Sequence, residues 1–317
     1  MRLVIAGGTG HLGQLLTARF RSRGDAVAVL SRNVEAQAVR WDGKTLGPWA
    51  REIDGADVVI NLAGRSVDCR YDSRHRAEIL ASRVDSTRVI GEAIARAAAP
   101  PATWLQMGTA TIYSHRFDAA NDERSGVIGG EERNAPASWK FSIDVARAWE
   151  ETLDRASVPA TRKVTMRSAM VMAIGAGGPF AALHRHVMLG CGRLGDGRQY
   201  MSWIHERDFV RAVDWLITNQ GIEGPVNLSA PEPLTNSCFL SVLGKAAGAH
   251  FGIPVSDWMV EAGAFLMRTE PELVLKSRRV VPTRLVESGF TFDFPQWPAA
   301  AAELCARLHA PAQGRVF

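Results

Sequence analysis

The stretch RLVIAGGTGHLG at residues 2–13 decides the fold, because a short apolar run leads directly into glycines at positions 7, 10 and 13. The apolar run predicts a buried parallel strand, and the apolar spacing from Leu12 to Phe20 predicts an amphipathic helix directly after it. Glycines at this spacing permit a tight turn, a close approach of the backbone to a pyrophosphate, and close packing of the helix on the strand. The stretch therefore predicts a dinucleotide-binding loop, with an ordinary glycine-rich turn as the alternative.

Strand-like and helix-like segments alternate along the rest of the first half. Strands are predicted at 26–30, 57–64, 103–113, 163–172 and, later in the chain, 226–230. Helices are predicted at 82–99 and at about 140–155. This alternation predicts the α/β fold class, with a Rossmann-type doubly wound parallel sheet.

The second half changes character, because glycine-rich stretches and the segment PEPLTN at 231–236 interrupt it. We expect residues 1–174, together with about 205–230, to form the nucleotide-binding Rossmann domain. Residues from about 175–204 and 231–317 are expected to form a smaller, mostly C-terminal substrate or lid domain.

The composition excludes several classes of protein. With 46% hydrophobic and 22% charged residues among 317, the chain has the composition of an ordinary globular protein. Its net charge of +4 is too small to indicate a nucleic-acid-binding surface. Its four cysteines are scattered without a Cys-x-x-Cys pair, so we predict reduced thiols and no metal site. No apolar run is long enough to cross a bilayer, and we expect a cytoplasmic protein that binds neither membrane nor nucleic acid.

The predicted cofactor follows from the end of the second strand. NAD-binding loops usually carry an acidic residue about 20 residues beyond the glycines, where it holds the ribose. Here Ser31 and Arg32 occupy that place, and the first acidic residue is Glu35. An arginine there pairs with a 2′-phosphate, so NADP(H) is predicted over NAD, with a solvated surface arginine as the alternative. The cofactor-binding residues predicted from these two segments are Gly7, Thr9, Gly10, His11, Leu12, Gly13, Ser31 and Arg32.

The glycine loop, NLAG at 61–64 and GTATIY at 108–113 together resemble the extended short-chain dehydrogenases/reductases, in their sugar-epimerase-like branch. The resemblance implies that Leu62, Ala63 and Gly64 line the cofactor. It also places Thr109 where that family has its catalytic serine, and Tyr113 at the tyrosine four residues later. A threonine hydroxyl donates to a substrate carbonyl as a serine does, although a residue that merely satisfies backbone groups at a strand end is the competing interpretation.

The Tyr-x-x-x-Lys pair on which that family's chemistry depends does not occur in this sequence. The three tyrosines are Tyr71, Tyr113 and Tyr200, and none has a lysine four residues later. On the helix where the pair belongs, the resemblance puts Ser142 in the tyrosine position and Ala146 in the lysine position. The standard catalysis of the family is therefore not predicted.

Three long segments resemble one subgroup more specifically, namely LGDGRQYMSWIHERD at 194–208, GPVNLSAPEPLTN at 224–236 and RRVVPTRLVESGFTF at 278–292. The subgroup consists of atypical extended reductases, often described as epimerase-like or cell-division-inhibitor-like, which commonly lack the pair. The resemblance implies that Arg83 replaces a catalytic-site asparagine, and that Glu78 and Arg83 lie near the cofactor. A salt pair on the helix surface is the alternative for these two residues.

His205, in the segment SWIHERD, completes the catalytic candidates, because an imidazole titrates near neutral pH. A histidine that anchors a loop by hydrogen bonds is the alternative. The predicted catalytic set is therefore Thr109, Arg83, Tyr113 and His205. Two functions stay open: an NADP(H)-dependent oxidoreductase or epimerase-like enzyme for a small carbonyl, hydroxyl or sugar-nucleotide substrate, and a non-catalytic NADP-binding sensor or docking protein. A homodimer is left open.

Overall fold

A parallel sheet lies at the centre of the structure, a computed structural model that describes residues 1–33, 38–132, 136–175, 178–249, 252–267 and 270–309. The strands are β1 (Arg2–Ala6), β2 (Ala26–Ser31), β3 (Ala38–Arg40), β4 (Val58–Asn61), β5 (Thr103–Thr109), β6 (Arg162–Ser168), β7 (Met170–Met172), β8 (Cys191–Leu194), β9 (Tyr200–Met201), β10 (Trp203–His205), β11 (Gly224–Leu228), β12 (Leu234–Thr235) and β13 (Ile253–Val255). The helices are α1 (His11–Ser22), α2 (Ser73–Arg96), α3 (Ala137–Asp154), α4 (Pro179–Met188), α5 (Glu206–Thr218), α6 (Asn236–Ala246), α7 (Asp257–Met267), α8 (Glu272–Leu275), α9 (Thr283–Glu287) and α10 (Trp297–His309). Short 3-10 turns lie at Pro48–Glu52 and Ala110–Ile112.

Within the described residues the central sheet has seven strands in the order β11-β6-β5-β4-β1-β2-β3, and all neighbouring strands run parallel. The strand order reverses at β1, because the chain builds outward through β2 and β3 and then returns to the other side of β1 with β4. Ligands of such sheets bind outside the carboxyl ends of the strands at this reversal. The predicted doubly wound Rossmann-type sheet is confirmed.

Strand β1 is apolar throughout because both faces of the sheet are covered. Leu3 and Ile5 pack into one buried cluster with α1 and α5, whereas Val4 and Ala6 pack into another with α2. All four side chains are fully buried. Alternate residues of a strand point to opposite faces, so the continuous apolar run that identified this strand is the pattern that two covered faces require.

Several predicted segments have different ends in the structure, among them the strand predicted at 57–64, which ends at Asn61. Helix α2 begins at Ser73, earlier than predicted, because the Asp72 side chain caps it by accepting a backbone N–H. The strand predicted to run to residue 113 stops at Thr109, whose hydroxyl caps the following 3-10 turn. The strand predicted at the end of the first half divides at Ala169, since β7 leaves the central sheet and pairs with β10. Strand β3 was not predicted at all.

A second apolar core lies beside the sheet and is built mainly by α4, α6 and α10. At its centre the Trp297 indole stacks on the Phe239 ring, with centroids 4.0 Å apart. Leu285 and Phe290, which belong to the predicted lid, join the buried cluster of the sheet instead. The C-terminal segment therefore contacts both cores, and the division into two domains stays a prediction.

Among the described residues, no helix has the length and apolar character that crossing a membrane requires.

Candidate functional site

The glycine loop lies between β1 and α1, at the carboxyl edge of the sheet. Gly7 has a φ of +76°, and a Cβ there would lie 3.0 Å from the backbone nitrogen of Ala63. A Cβ on Gly13 would lie 2.5 Å from Gly8 Cα, and a Cβ on Gly10 would lie 3.2 Å from the Gly7 carbonyl oxygen. Side chains at Gly7 and Gly13 would collide with neighbouring backbone, so the tight turn and the close packing of α1 on the loop require glycine, as the predicted role of the loop does.

The N-terminus of α1 is open to an anion. Its first turn holds no acidic residue, and no side chain caps it. Backbone N–H groups at a helix N-terminus carry partial positive charge and donate readily to phosphate oxygens. His11 begins the helix, and its Nε2 is buried with no hydrogen-bond partner among the described residues. An unsatisfied buried nitrogen beside free N–H groups fits a loop that a bound ligand completes.

The end of β2 touches the glycine loop directly. Ser31 is buried there, and its hydroxyl shares a hydrogen bond of 2.9 Å with the hydroxyl of Thr9. The Ser31 oxygen also accepts from the Asn33 N–H at 3.2 Å. Arg32 is exposed beside them, whereas Glu35 lies outside the described residues. The structure thus brings together the two segments from which the cofactor was predicted.

Arg83 of α2 packs against the chain that follows β4. A Cβ on Gly64 would lie 3.3 Å from its guanidinium carbon, which also stands 5.1 Å from the centre of the Trp149 ring. Its Nη1 donates to the carbonyl oxygens of Arg65 and Ile79, each at 3.1 Å. Burial lowers the pKa of Arg83 to about 10. Arg83 forms no ion pair with a described carboxylate, so its buried charge is balanced only by these carbonyl oxygens and by the Trp149 ring, which makes it a candidate site residue.

The remaining predicted residues of this edge divide into two groups. Leu62 and Ala63 follow β4 toward the glycine loop, and the Leu62 N–H donates to the Ala6 carbonyl oxygen at 2.9 Å. Glu78 instead pairs with Arg65 at 2.8 Å and with Arg74 at 2.9 Å. The structure therefore does not form the surface salt pair between Glu78 and Arg83.

Thr109 ends β5 at the same edge of the sheet and is partly buried. Its Oγ1 accepts a hydrogen bond of 3.1 Å from the Thr111 N–H. This contact satisfies a backbone group, as the competing interpretation proposed, yet it leaves the hydroxyl proton of Thr109 free to donate. Both interpretations of this residue are therefore compatible with its geometry.

Tyr113 is buried inside the protein with its hydroxyl fully engaged. The hydroxyl donates to Asn227 Oδ1 at 3.0 Å and accepts from Arg167 Nη1 at 2.9 Å. Glu150 holds the Arg167 guanidinium with two further hydrogen bonds, of 2.8 and 2.7 Å. Burial raises the pKa of Tyr113, and the Arg167 charge opposes that rise. This placement favours a structural role, and the predicted catalytic role gains no support from it.

His205 is also completely buried, where β10 meets α5. Its Nδ1 accepts the Arg207 N–H at 3.1 Å and caps α5, and the ring stacks on Phe294 with centroids 4.0 Å apart. Burial lowers the pKa of His205, although the carboxylate of Glu303 opposes that effect. These contacts match the loop-anchoring alternative, and the catalytic role stays a prediction.

A cluster of buried polar side chains near Thr109 was not predicted. Glu272 and Lys276 are 1% exposed, and the Arg278 side chain beside them is 11% exposed. Lys276 Nζ donates to the Thr111 carbonyl oxygen at 2.9 Å, and Glu272 accepts from the Ser142 hydroxyl at 2.6 Å. The available signal was a glutamate four residues before a lysine in PELVLKSRR, at 271–279, but the pattern alone is typical of a solvent-exposed helix pair.

Tyr71 adjoins this cluster and lines a cavity of about 780 Å³. Burial and the Glu272 carboxylate raise the pKa of Tyr71 to about 12, although a hydrogen bond with Ser142 opposes the rise. Trp258 and Glu270 also line the cavity. A space of this size beside the buried cluster is sufficient for a small substrate.

Among the described residues, no group of three or more His, Cys, Asp or Glu side chains could hold a metal ion.

Known proteins resemble this chain over nearly its whole length. A family model described as the NAD dependent epimerase/dehydratase family matches residues 3–135, and one described as a domain of unknown function matches residues 255–304. The epimerase family protein SDR39U1 of Bos taurus is 30% identical and covers 96% of this chain and 100% of its own length. The epimerase family protein YfhF of Bacillus subtilis is 28% identical and covers 96% of this chain and 98% of its own length.

Solved structures agree with these sequence relatives. The crystal structure of human SDR39U1 (isoform 2) with NADPH has a TM-score of 0.85 and 29% identity, over 96% of this chain and 99% of that chain. UDP-N-acetylglucosamine 4-epimerase from Bacillus cereus shares the fold, with a TM-score of 0.74 at 15% identity over 97% of this chain and 99% of its own. The chain therefore belongs to the NAD-dependent epimerase/dehydratase family, together with SDR39U1 and its relatives.

Proposed function

We propose that the protein is an NADP(H)-dependent oxidoreductase that acts on a small carbonyl or hydroxyl substrate through a non-standard catalytic site. The observation that carries this proposal is the contact between the glycine loop and the end of β2, where Thr9 and Ser31 share a hydrogen bond beside the exposed Arg32. This arrangement offers backbone donors to a pyrophosphate and a cation to a 2′-phosphate. The NADPH in the crystal structure of human SDR39U1 supports the choice of cofactor.

Two residues of this chain are suited to act on the substrate. When bound, NADPH supplies a hydride to a carbonyl carbon. The Thr109 hydroxyl keeps its proton free and donates it as a hydrogen bond to the substrate oxygen. The Arg83 guanidinium has no carboxylate partner among the described residues, and it stabilises the negative charge that develops on that oxygen. An epimerase with a transient oxidation, for example of a sugar nucleotide, would use the same two groups.

Cofactor titrations test the binding part of the proposal. We expect the protein to bind NADPH at least about tenfold more tightly than NADH, since the charge-assisted hydrogen bonds of Arg32 contribute about 1.5–3 kcal/mol. Arg32→Ala should remove this preference. Arg21→Ala, on the exposed last turn of α1, is the matched control and should leave it unchanged. Equal affinity of the wild type for both cofactors would contradict the role of Arg32, and no binding of either would contradict the proposal.

Turnover of NADPH tests the catalytic part. Thr109→Ala should slow the oxidation of NADPH by carbonyl substrates while its affinity for NADPH stays within about twofold of the wild type. Assays with carbonyl compounds and with sugar nucleotides separate net reduction from epimerisation. The non-catalytic sensor would be favoured if NADPH binds tightly but no substrate is turned over, and if Thr109→Ala has no effect on the function of the protein in cells.

A further inference from the structure

Glu272 is a buried carboxyl group of which only one oxygen is hydrogen-bonded. Its Oε2 accepts from the Ser142 hydroxyl at 2.6 Å. Its Oε1 accepts no hydrogen bond from a described residue, and the nearest cations, Lys276 Nζ and Arg278 Nη2, lie 3.9 and 4.0 Å away. A buried acceptor without a donor carries an energetic cost, because it loses its hydrogen bonds with water and gains none in the protein. A group that carries this cost beside a cavity is a candidate for a functional role.

The surroundings of Glu272 connect it to the predicted catalytic threonine. Lys276 Nζ donates to the Thr111 carbonyl oxygen at 2.9 Å, and Arg278 Nε lies 3.2 Å from Thr111 Oγ1. Thr111 in turn donates its N–H to Thr109 Oγ1. The C-terminal segment thus brings the Glu272 carboxyl group to the carboxyl edge of β5, where a doubly wound sheet binds its ligands.

We propose that Ser142 and Glu272 form a proton-donating pair, in which Ser142 contacts the substrate and Glu272 supplies the proton through it. The proposal rests on the proposed function, because reduction of a carbonyl requires a proton as well as a hydride. It assigns the acid of the reaction to a segment, residues 255–304, that matches a domain of unknown function.

The step balances in the reductive direction. The carbonyl carbon receives a hydride from NADPH, the π electron pair moves to the oxygen, and this oxygen takes the hydroxyl proton of Ser142. For this step the Ser142 hydroxyl turns from Glu272 to the substrate oxygen, and Ser142 Oγ then takes the proton of the Glu272 carboxylic acid across the 2.6 Å contact, which leaves a carboxylate. Lys276 and Arg278 stabilise that carboxylate. A proton from solvent then restores the Glu272 carboxylic acid, whose neighbours Tyr71 and Glu270 line the cavity.

The charges around Glu272 are compatible with this role. Burial raises the pKa of Glu272 above the ordinary carboxyl value of 4.5, and the groups that modify this shift are, in order, Arg278, Ser142 and Lys276, which oppose it, and Glu270, which adds to it. Tyr71, which faces the cluster from the chain before α2, has its pKa raised to about 12 and therefore also keeps its proton near neutral pH. The direction of the Glu272 shift is the one that a carboxylic acid donor requires, and the hydrogen bond to Ser142 gives that proton a path out of the cluster.

Steady-state kinetics of the full chain with NADPH test the pair, with phenanthrenequinone, an aromatic diketone, as the probe. Glu272→Gln should lower kcat about 100-fold or more, because the amide donates no proton, while KM and the NADPH affinity change by no more than about twofold. Ser142→Ala should have the same effect, Ser142→Thr should restore much of the rate, and the double variant should be no slower than either single one. Glu123→Gln is the matched control, since Glu123 also has its pKa raised by burial but accepts from the Asn227 and Arg284 N–H groups instead.

Infrared spectroscopy provides a readout that does not depend on turnover. The protein without substrate should show carboxylic acid bands that disappear as the pH rises, one lost in Glu272→Gln and another in Glu123→Gln. Only the Glu272 band should shift in Ser142→Ala, because only that carboxyl group bonds Ser142.

The two proposals fail in different ways. A wild type that reduces phenanthrenequinone while Glu272→Gln remains as fast as Glu123→Gln would overturn the pair and leave the proposed function standing. A wild type that does not bind NADPH would overturn the proposed function and, with it, the reaction assigned to the pair. If NADPH binds but the probe is not reduced, the infrared titration decides, and a Glu272 carboxyl group that is fully ionised at about pH 6 would overturn the pair.

Discussion

His205 and Glu303 join the two apolar cores of the protein through a contact of 3.0 Å between Nε2 and Oε2. The first residue ends β10 and the second lies on α10, 98 positions later in the chain. Because His205 Nδ1 accepts the Arg207 N–H, the proton of the neutral ring is on Nε2 and is donated to Glu303. The contact thus holds the C-terminal helix against the start of α5.

Loss of this contact should affect stability rather than cofactor binding. His205→Ala removes a buried ring and its hydrogen bonds, so we expect the free energy of unfolding to fall by about 2–4 kcal/mol. The affinity for NADPH should change by no more than about twofold. Urea denaturation and NADPH titration measure the two quantities. A variant that keeps the stability of the wild type but loses most of its turnover would instead support the catalytic role predicted for His205.

The same residue predicts a pH dependence. Burial lowers the pKa of His205 from its ordinary value of 6.5, so the unfolded chain binds this proton more tightly than the folded protein. The free energy of unfolding should therefore rise with pH up to about 6.5. The contribution of His205 to stability is lost as the pH falls below 6.5 and through the pKa of His205 in the folded protein. Urea denaturation from about pH 5 to 7.5 measures this slope, which should be smaller in His205→Ala. An equal slope in both proteins would show that other groups cause it.

The glycine loop should tolerate no side chain at Gly13. A Cβ there would lie 2.5 Å from Gly8 Cα and 2.6 Å from the Gly7 carbonyl oxygen, so Gly13→Ala must move α1 away from the loop. We expect NADPH affinity to fall at least about 100-fold, together with a loss of about 1–3 kcal/mol in stability. Gly221→Ala is the control, because its Cβ would meet nothing closer than Asn219 Oδ1 at 3.7 Å. Retained affinity in Gly13→Ala would contradict the loop's role.

Tyr113→Phe separates the structural from the catalytic interpretation of this residue. The change deprives the buried Arg167 and Asn227 side chains of a partner, so stability should fall by about 1–3 kcal/mol. Turnover of NADPH per folded molecule should stay within about twofold. Tyr200→Phe, on β9, is the control for removing a tyrosine hydroxyl. A loss of kcat of about 100-fold at unchanged stability would restore Tyr113 to the catalytic set.

Arg83 should be needed for its shape as well as its charge. Its guanidinium lies against Gly64 and over the Trp149 ring, a planar packing that a lysine does not reproduce. Arg83→Lys and Arg83→Met should therefore both weaken NADPH binding or slow its turnover by about tenfold or more. Arg88→Met, at an exposed position on the same helix, is the control. Full function of Arg83→Lys would show that charge alone suffices.

The fold was predictable because its signals are local. The apolar run of β1 and the spacing of Gly7, Gly10 and Gly13 lie within a dozen residues, and burial on both sheet faces left a pattern that the sequence displays directly. The end of β2 was equally accessible, since Ser31 and Arg32 follow a strand whose apolar run was evident. The start of α2 was harder to predict from the sequence, because Asp72 extends this helix beyond the alanine-rich segment through one side-chain hydrogen bond.

The catalytic candidates were harder to predict because their partners are distant in sequence. Ser142 meets Glu272 across 130 residues, and nothing in the helix around Ser142 indicates a buried acid beside it. His205 and Tyr113 had the right chemistry for catalysis, but whether a side chain is fully engaged depends on residues such as Glu303 and Asn227. Residue type therefore indicates only which chemistry a side chain can perform, whereas the fold reveals which groups are free to perform it.

The contact of Lys276 with Thr111 has a consequence for the assembly of the protein on the ribosome. The turn after β5 is synthesised 165 residues before the lysine that donates to its carbonyl oxygen. The strands β1, β2, β4 and β5 precede this lysine, so the nucleotide-binding half is translated while Thr111 still lacks that partner. The edge of the site that carries Thr109 is consequently completed late in translation, after the glycine loop has emerged.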